Sequence, residues 1–277
     1  MRFPLGIRWT LLAFALVPLH AAPPPSLSEA WAEAGLMNYD RAIRSFEAFV
    51  DSPDPALRRQ ARIGLALALQ YRQPDRKDDK QRAEEIYNAL IGDMGPTPVS
   101  PADHLLLYLR ARMAADIDYP GDTPDWELAD KLHRRLMDSP EAGLYAELAA
   151  SESALLNLKR GDPKLSVAML EARLAADADN PLAAAQNMLA GGTELYLLDD
   201  PASAIGRFRS ALDAGIPVPT LPPSYIWGVA RLADQLGKRE VALEYYQRIL
   251  SDFSQTLYAD ESLRAVRRLK GQTPDPQ

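Results

Sequence analysis

A regular spacing of small residues followed by aromatic residues constrains this sequence more than any other feature. Ala204 is followed four positions later by Phe208, and Ala242 by Tyr246, and the two alanines lie 38 positions apart. A small residue allows two helices to cross closely, and an aromatic residue one turn later fills the groove beside the crossing. A repeat of this period predicts a stacked helical array rather than a single closed core.

The same pattern recurs along most of the chain, at six crossing positions. Neighbouring crossing positions differ by 41, 46, 37, 38 and 38 residues, and longer loops account for the two larger values. The crossing residues are Ala42, Ala83, Ala129, Ser166, Ala204 and Ala242, and the residues four positions after them are Phe46, Tyr87, His133, Leu170, Phe208 and Tyr246. On the facing helices of the last two pairs, we expect Gly192 and Ala230 to be the second small residues.

These units resemble tetratricopeptide repeats, which have small residues at two crossing points, an aromatic residue after the second, and a proline near the unit end. Asn180-Pro181 and Pro222-Pro223 provide such prolines. The resemblance implies an all-α fold, a right-handed α-solenoid of about six antiparallel helix pairs with a C-terminal capping helix over residues 258–269. The repeat pattern is specific for the fold and says little about function.

The N-terminal segment has the layout of a secretory signal peptide. Arg2 and Arg8 accompany an apolar run from Trp9 to Leu19, and small residues follow it. The run is shorter than the roughly 20 residues that span a membrane, so we expect cleavage after Ala21 and export, to the periplasm or outside the cell. An uncleaved anchor is the alternative. The predicted organisation is a signal peptide over 1–21, a proline-rich spacer over 22–27, the repeat domain over 28–270 and a disordered tail over 271–277.

The overall composition disfavours several classes of function. The chain carries 38 acidic and 31 basic groups, a net charge of −7, and has no cysteine. An acidic chain without a basic stripe is a poor match for nucleic acid, and no disulfide or thiol chemistry is available. Phosphate-binding loops, nucleophile elbows and zinc motifs are absent, and His104 and His133 stand alone. We therefore predict a non-catalytic protein without a cofactor and with no integral membrane span after leader removal.

One loop between two predicted helices matches part of an EF-hand calcium loop. Asp116, Asp118, Gly121 and Glu127 occupy its positions one, three, six and twelve, and carboxylates around a turn-forming glycine suit calcium. Pro120 stands where a further ligand belongs. We therefore interpret the loop as an insertion between repeat units, with calcium binding as the alternative and no metal site predicted.

The first helices of the pairs line the concave side in the family that these units resemble. The residues expected to face that side are Arg58, Tyr108, Arg112, Gln186, Tyr196, Trp227, Arg231 and Asp234. Aromatic residues beside arginine are typical of surfaces that anchor a peptide, although Trp227 could equally be a core residue.

The predicted function is a protein-interaction scaffold or adaptor in the bacterial cell envelope, with a protein or peptide partner in the concave groove. A module that binds glycans or peptidoglycan fragments is the first alternative. An enzyme without a recognisable motif is the second.

Overall fold

The computed structural model describes residues 26–95, 98, 100–116, 123–215 and 222–271. Thirteen α-helices and no strands occur in these ranges: α1 Leu27–Gly35, α2 Tyr39–Glu47, α3 Pro55–Tyr71, α4 Asp79–Gly92, α5 Pro101–Ala115, α6 Trp126–Met137, α7 Leu144–Lys159, α8 Pro163–Ala176, α9 Ala183–Tyr196, α10 Pro201–Ala214, α11 Pro222–Gln235, α12 Arg239–Asp252 and α13 Ala259–Leu269. None of these helices is long and apolar enough to cross a membrane. The predicted signal peptide lies outside the described residues, and so do positions 272–277 of the predicted tail.

Consecutive helices pack against each other and form the predicted pairs. α1 packs on α2, and the same holds for α3 and α4, α5 and α6, α7 and α8, α9 and α10, and α11 and α12, while α13 packs on α12 at the C-terminal end. Helices joined by short loops are antiparallel neighbours. The prediction of an all-α solenoid of six helix pairs with a capping helix is therefore confirmed.

Several helices begin at a capping side chain followed directly by proline. The Asp54 carboxylate accepts a hydrogen bond from the Ala56 backbone N–H at 2.8 Å, ahead of Pro55. Asp200 does the same for the Ser203 N–H at 3.1 Å, ahead of Pro201. The fixed φ of proline suits the first helical position, and proline lacks the backbone N–H that would need a hydrogen-bond partner there. Five of the 23 prolines are therefore the first residue of a helix in the described ranges.

The turn inside each pair is also repeated, in four of the six units. Met37, Gly161, Asp199 and Gly237 have φ of 58°, 80°, 51° and 69°, and each lies five positions before the crossing residue of its unit. In this left-handed conformation the next N–H turns back to the helix end. The N–H of Asn38 donates to the Glu33 carbonyl at 2.9 Å, and that of Lys238 to the Ala233 carbonyl at 2.8 Å.

The six predicted crossing residues are all fully buried. On the facing helix of the fifth pair, however, the prediction of Gly192 was wrong by one residue. A Cβ on Gly191 would lie 2.8 Å from the Phe208 ring, whereas one on Gly192 would have no neighbour within 4 Å. Gly191 is therefore the residue that admits the neighbouring helix. In the sixth pair Ala230 is fully buried, as predicted.

The apolar core is concentrated towards the two ends of the array. One large cluster runs from Ala30 in α1 to Met113 in α5, and another from Ile205 in α10 to Val266 in α13. Between them, α7, α8 and α9 share only a small apolar cluster of Ala154, Leu170 and Ala190. Buried polar side chains take over much of the packing there.

The polar network between α7 and α9 centres on Glu147, which is 1% exposed. Its carboxylate accepts a hydrogen bond from the Arg173 guanidinium at 2.7 Å and another from the Gln186 amide at 3.2 Å. Asn180 completes the network by donating to the Gln186 carbonyl oxygen at 2.9 Å. A buried carboxylate needs partners of this kind, because unpaired burial of a charge is costly.

Candidate functional site

A groove of about 570 Å³ lies where α9, α10 and α11 meet. Its walls are mostly apolar and aromatic, and its lining includes a single charged side chain. The lining residues are Leu195, Tyr196, Phe208, Ser224, Tyr225, Trp227, Gly228, Val229, Arg231, Leu232 and Gln235. An open, largely apolar groove with few polar groups is the usual form of a binding site.

Trp227 is one of the aromatic residues that line this groove. The Arg231 guanidinium carbon lies 4.7 Å from the centre of the indole ring, and the Tyr258 ring centre lies 5.1 Å from it. Trp227 also packs against the C-terminal core cluster, and its indole nitrogen is buried without a hydrogen-bond partner in the described part of the chain. Trp227 therefore packs on the core and also lines the groove, and its role in binding a partner stays a prediction.

Tyr196 and Arg231 are the other two predicted site residues that line this groove. Tyr196 is the last residue of α9 and is 80% exposed. Arg231 is also exposed, and its stacking on Trp227 holds the guanidinium at the groove. A tyrosine from one repeat unit and an arginine–tryptophan pair from the next therefore meet on one surface.

Asp234 follows Arg231 by one helical turn, but its carboxylate is engaged elsewhere. Both of its oxygens are held by the Arg268 guanidinium of α13, in one contact at 3.3 Å and in a second, shorter one. The Tyr246 hydroxyl donates to the same carboxylate at 3.4 Å. Asp234 thus ties α11 to α12 and α13.

Tyr108 and Arg112 lie in a different cluster, formed by α3, α5 and α7. The Arg112 guanidinium carbon is 5.9 Å from the Tyr71 ring centre and 6.0 Å from that of Tyr108. Its Nε lies 3.6 Å from a Glu152 carboxylate oxygen, which also accepts a hydrogen bond from the Tyr108 hydroxyl at 3.4 Å. Burial raises the pKa of Tyr71 to about 12, against the opposing effect of the Arg112 charge. This cluster satisfies its own charges.

The remaining two predicted residues make bonds within the chain. Arg58 donates from its guanidinium to the Ser52 backbone carbonyl at 2.8 Å, at the start of its own helix. Gln186 is fully buried and belongs to the Glu147 network. The structure therefore brings Tyr196, Trp227 and Arg231 together and places Arg58, Gln186 and the Tyr108–Arg112 pair elsewhere.

Sequence reasoning missed two aromatic residues that line the groove. Tyr225 lies two positions before Trp227 on the same helix and is only half-buried. Phe208 was assigned to helix packing, and it does pack on the C-terminal core cluster while also lining the groove. A partly exposed aromatic residue in a packing position is visible only when the neighbouring helix has been placed.

Half of the loop in the calcium alternative, residues 117–122, lies outside the described part of the chain. Within the ranges that the structure describes, no group of three or more His, Asp or Glu side chains could hold a metal ion. Asp125, at the end of the loop, caps α6 by accepting a hydrogen bond from the Leu128 N–H at 2.9 Å. Calcium binding therefore stays an untested alternative.

No protein-family model and no curated protein matches this sequence. Among solved structures, the chain is similar to PilW, a widely conserved type IV pilus biogenesis factor, with 17% identity and a TM-score of 0.55 over 86% of this chain and 96% of PilW. It is also similar to the C-terminal part of a TPR repeat-containing protein from Cytophaga hutchinsonii, with 12% identity and a TM-score of 0.55 over 90% of this chain and 96% of that one. By its fold, the chain is therefore a tetratricopeptide-like helical repeat protein.

Proposed function

We propose that this protein is a non-catalytic scaffold that holds a segment of a partner protein in the groove between α9 and α11. The observation that carries the proposal is the meeting of Tyr196, Trp227 and Arg231 in one groove, although they come from two repeat units. Aromatic residues and arginine dominate the residues that contribute most to binding at protein interfaces. An open groove of this size also suits an extended peptide better than it suits the enclosed chemistry of most enzymes.

We further propose that the scaffold is exported and acts in the cell envelope. The N-terminal segment supports this, because Arg2 and Arg8 precede a short apolar run and small residues follow that run. The structural neighbour PilW, a type IV pilus biogenesis factor, agrees with a role in assembling envelope structures. Export is tested by the N-terminal sequence of the protein recovered from the envelope, which should begin after Ala21.

Capture of envelope proteins on the immobilised protein, read by mass spectrometry, tests the binding function. Tyr196→Ala should lower recovery of a dominant partner about 10-fold or more, since a central aromatic contact contributes about 1.5–3 kcal/mol to binding. Leu257→Ala is the matched control, because Leu257 is 82% exposed, close to the 80% of Tyr196, but lies outside the groove. Equal recovery by both variants would refute the groove as the binding site. Retention of peptidoglycan fragments alone would favour the glycan alternative.

A further inference from the structure

The groove combines apolar walls with one positive charge. Arg231 is the charged residue in its lining, while Leu195, Tyr196, Phe208 and Tyr225 provide apolar or aromatic surface. The chain as a whole has a net charge of −7, so a lone arginine here opposes the general charge of the surface. Such a local reversal selects for a group of opposite sign in whatever binds beside it.

The Arg231 guanidinium is held in place before any partner arrives. It stacks over the Trp227 ring at 4.7 Å, and Trp227 is in turn packed against Tyr258. A guanidinium on an aromatic face loses little further freedom when it binds, and its planar set of N–H donors matches the geometry of a carboxylate. Stacking therefore leaves the hydrogen-bonding capacity of Arg231 available.

That capacity is not used within the described residues. No ion pair or hydrogen bond joins Arg231 to a carboxylate there. The natural candidate is Asp234, one turn along α11, but Arg268 and Tyr246 hold its oxygens. The contacts with α12 and α13 thus engage this acid with partners other than Arg231.

Arg112 also lies against aromatic rings, but its carboxylate partner comes from the chain itself. Its guanidinium lies close to 6 Å from two tyrosine ring centres, as Arg231 lies over Trp227. Glu152, on the next first helix of the array, places a carboxylate oxygen 3.6 Å from the Arg112 Nε. Among the described side chains, no carboxylate pairs with Arg231 as Glu152 pairs with Arg112.

We infer that the partner supplies this carboxylate, as the side chain of an Asp or Glu in an extended peptide segment. A neighbouring aliphatic or aromatic side chain of the same segment packs against Tyr196, Phe208 and Tyr225. This partner chemistry rests on the proposed function and adds to it the class of peptide that the groove selects. A planar carboxylate can accept two parallel hydrogen bonds from the guanidinium.

An array of synthetic octapeptides tests this partner chemistry. The peptides combine aliphatic or aromatic residues with Asp or Glu, and each has a twin in which Asn or Gln replaces the acid. All are acetylated and amidated, so that only side chains carry charge, and a second set has a free C-terminal carboxylate. The full-length protein should bind acidic peptides about 10-fold or more tightly than their amide twins, as expected for a charge-assisted pair.

Two matched arginine variants assign the effect to its residue. Arg231→Gln should remove the preference for acidic peptides, whereas Arg112→Gln should keep it, because Arg112 already pairs with Glu152. Both variants should keep the helical circular dichroism of the unaltered protein. Arg231→Lys should keep only part of the preference, since an ammonium group does not offer a planar pair of N–H donors.

Several outcomes would overturn the inference. They are equal binding of acidic and amide peptides, an unchanged preference in Arg231→Gln, binding that needs a free C-terminal carboxylate, and no peptide binding by the folded protein. The proposed function is tested separately, by partner capture with the Tyr196→Ala variant. If Tyr196→Ala abolishes partner capture while Arg231→Gln does not, the groove binds a protein without using the arginine as described. If neither variant matters, both proposals are wrong.

Discussion

Acid should destabilise this protein through one histidine in the repeat pattern. His133 takes the aromatic position of the third unit, where it is 1% exposed, and neither ring nitrogen has a hydrogen-bond partner in the described structure. Burial lowers its pKa from 6.5 to about 4, and the charge of the nearby Asp130 carboxylate acts in the opposite direction. A neutral imidazole packs there as a flat ring, whereas an imidazolium would be a buried charge without a partner.

The sign of the pH dependence follows from the two pKa values. Above pH 6.5 the ring is neutral in both the folded and the unfolded chain, so His133 adds no pH dependence. Between pH 6.5 and about 4 the unfolded chain binds a proton that the folded chain does not, so the free energy of unfolding decreases as the pH falls. At about 1.4 kcal/mol for each pKa unit, the loss approaches 3 kcal/mol by pH 4.

Urea unfolding of the protein and of His133→Leu at pH 7 and pH 4 measures this loss. Leucine fills the same position in the fourth unit, where Leu170 is fully buried, so the variant should keep the packing and lose the titration. The variant should retain about 3 kcal/mol more of its stability at pH 4 than the unaltered protein does. Hydrogen exchange of the α6 amides adds a local measurement, because repeat arrays open unit by unit. An equal acid sensitivity in both proteins would refute the assignment to His133.

Three further predictions concern stability, and the first of them compares two neighbouring glycines. Gly191→Ala should destabilise the protein by about 1–3 kcal/mol, because the new Cβ would lie 2.8 Å from the Phe208 ring and overpack the crossing. Gly192→Ala has space around the new Cβ and should be neutral or stabilise by about 0.5–1 kcal/mol. Thermal melts compare the two variants directly. Met37→Gly should stabilise by about 1 kcal/mol, because it relieves a left-handed φ of 58°, and a raised urea midpoint checks this. Arg173→Ala should cost about 3–5 kcal/mol, since it leaves the 1% exposed Glu147 carboxylate without its cation, and a loss below 1 kcal/mol in urea unfolding would contradict the polar network.

The fold was predictable because every repeat unit meets the same local requirements. A small residue at the crossing and a bulky one four positions later mark each second helix, and all six crossing residues are buried as expected. Gly191 was missed because Gly191 and Gly192 are adjacent, and sequence spacing alone does not fix which of them faces the neighbouring helix. The left-handed turn at Met37 was not predicted, since a methionine carries no sequence signal for a positive φ.

The candidate site was predictable only in part, because pairing between distant side chains decides which residues are available. Arg112 and Arg231 are alike in sequence, yet Glu152, 40 positions further on, neutralises only the first. Gln186 appeared to face the groove, but it satisfies Glu147, 39 positions earlier. Such partners depend on how neighbouring units stack, and a single sequence does not specify that geometry.

Helix α13 packs on α12 and also contacts two residues of α11 that lie at or near the groove. Tyr258, at its start, packs on Trp227 at 5.1 Å and so supports the ring on which Arg231 stacks. Arg268, in its last turn, engages the Asp234 carboxylate that would otherwise lie one turn from Arg231. Residues three apart on a helix are neighbours, so without Arg268 the two charges of α11 would be free to neutralise each other. The positive charge of the groove is therefore a consequence of the contacts that α13 makes with α11, and the proposed binding surface lies beside α13.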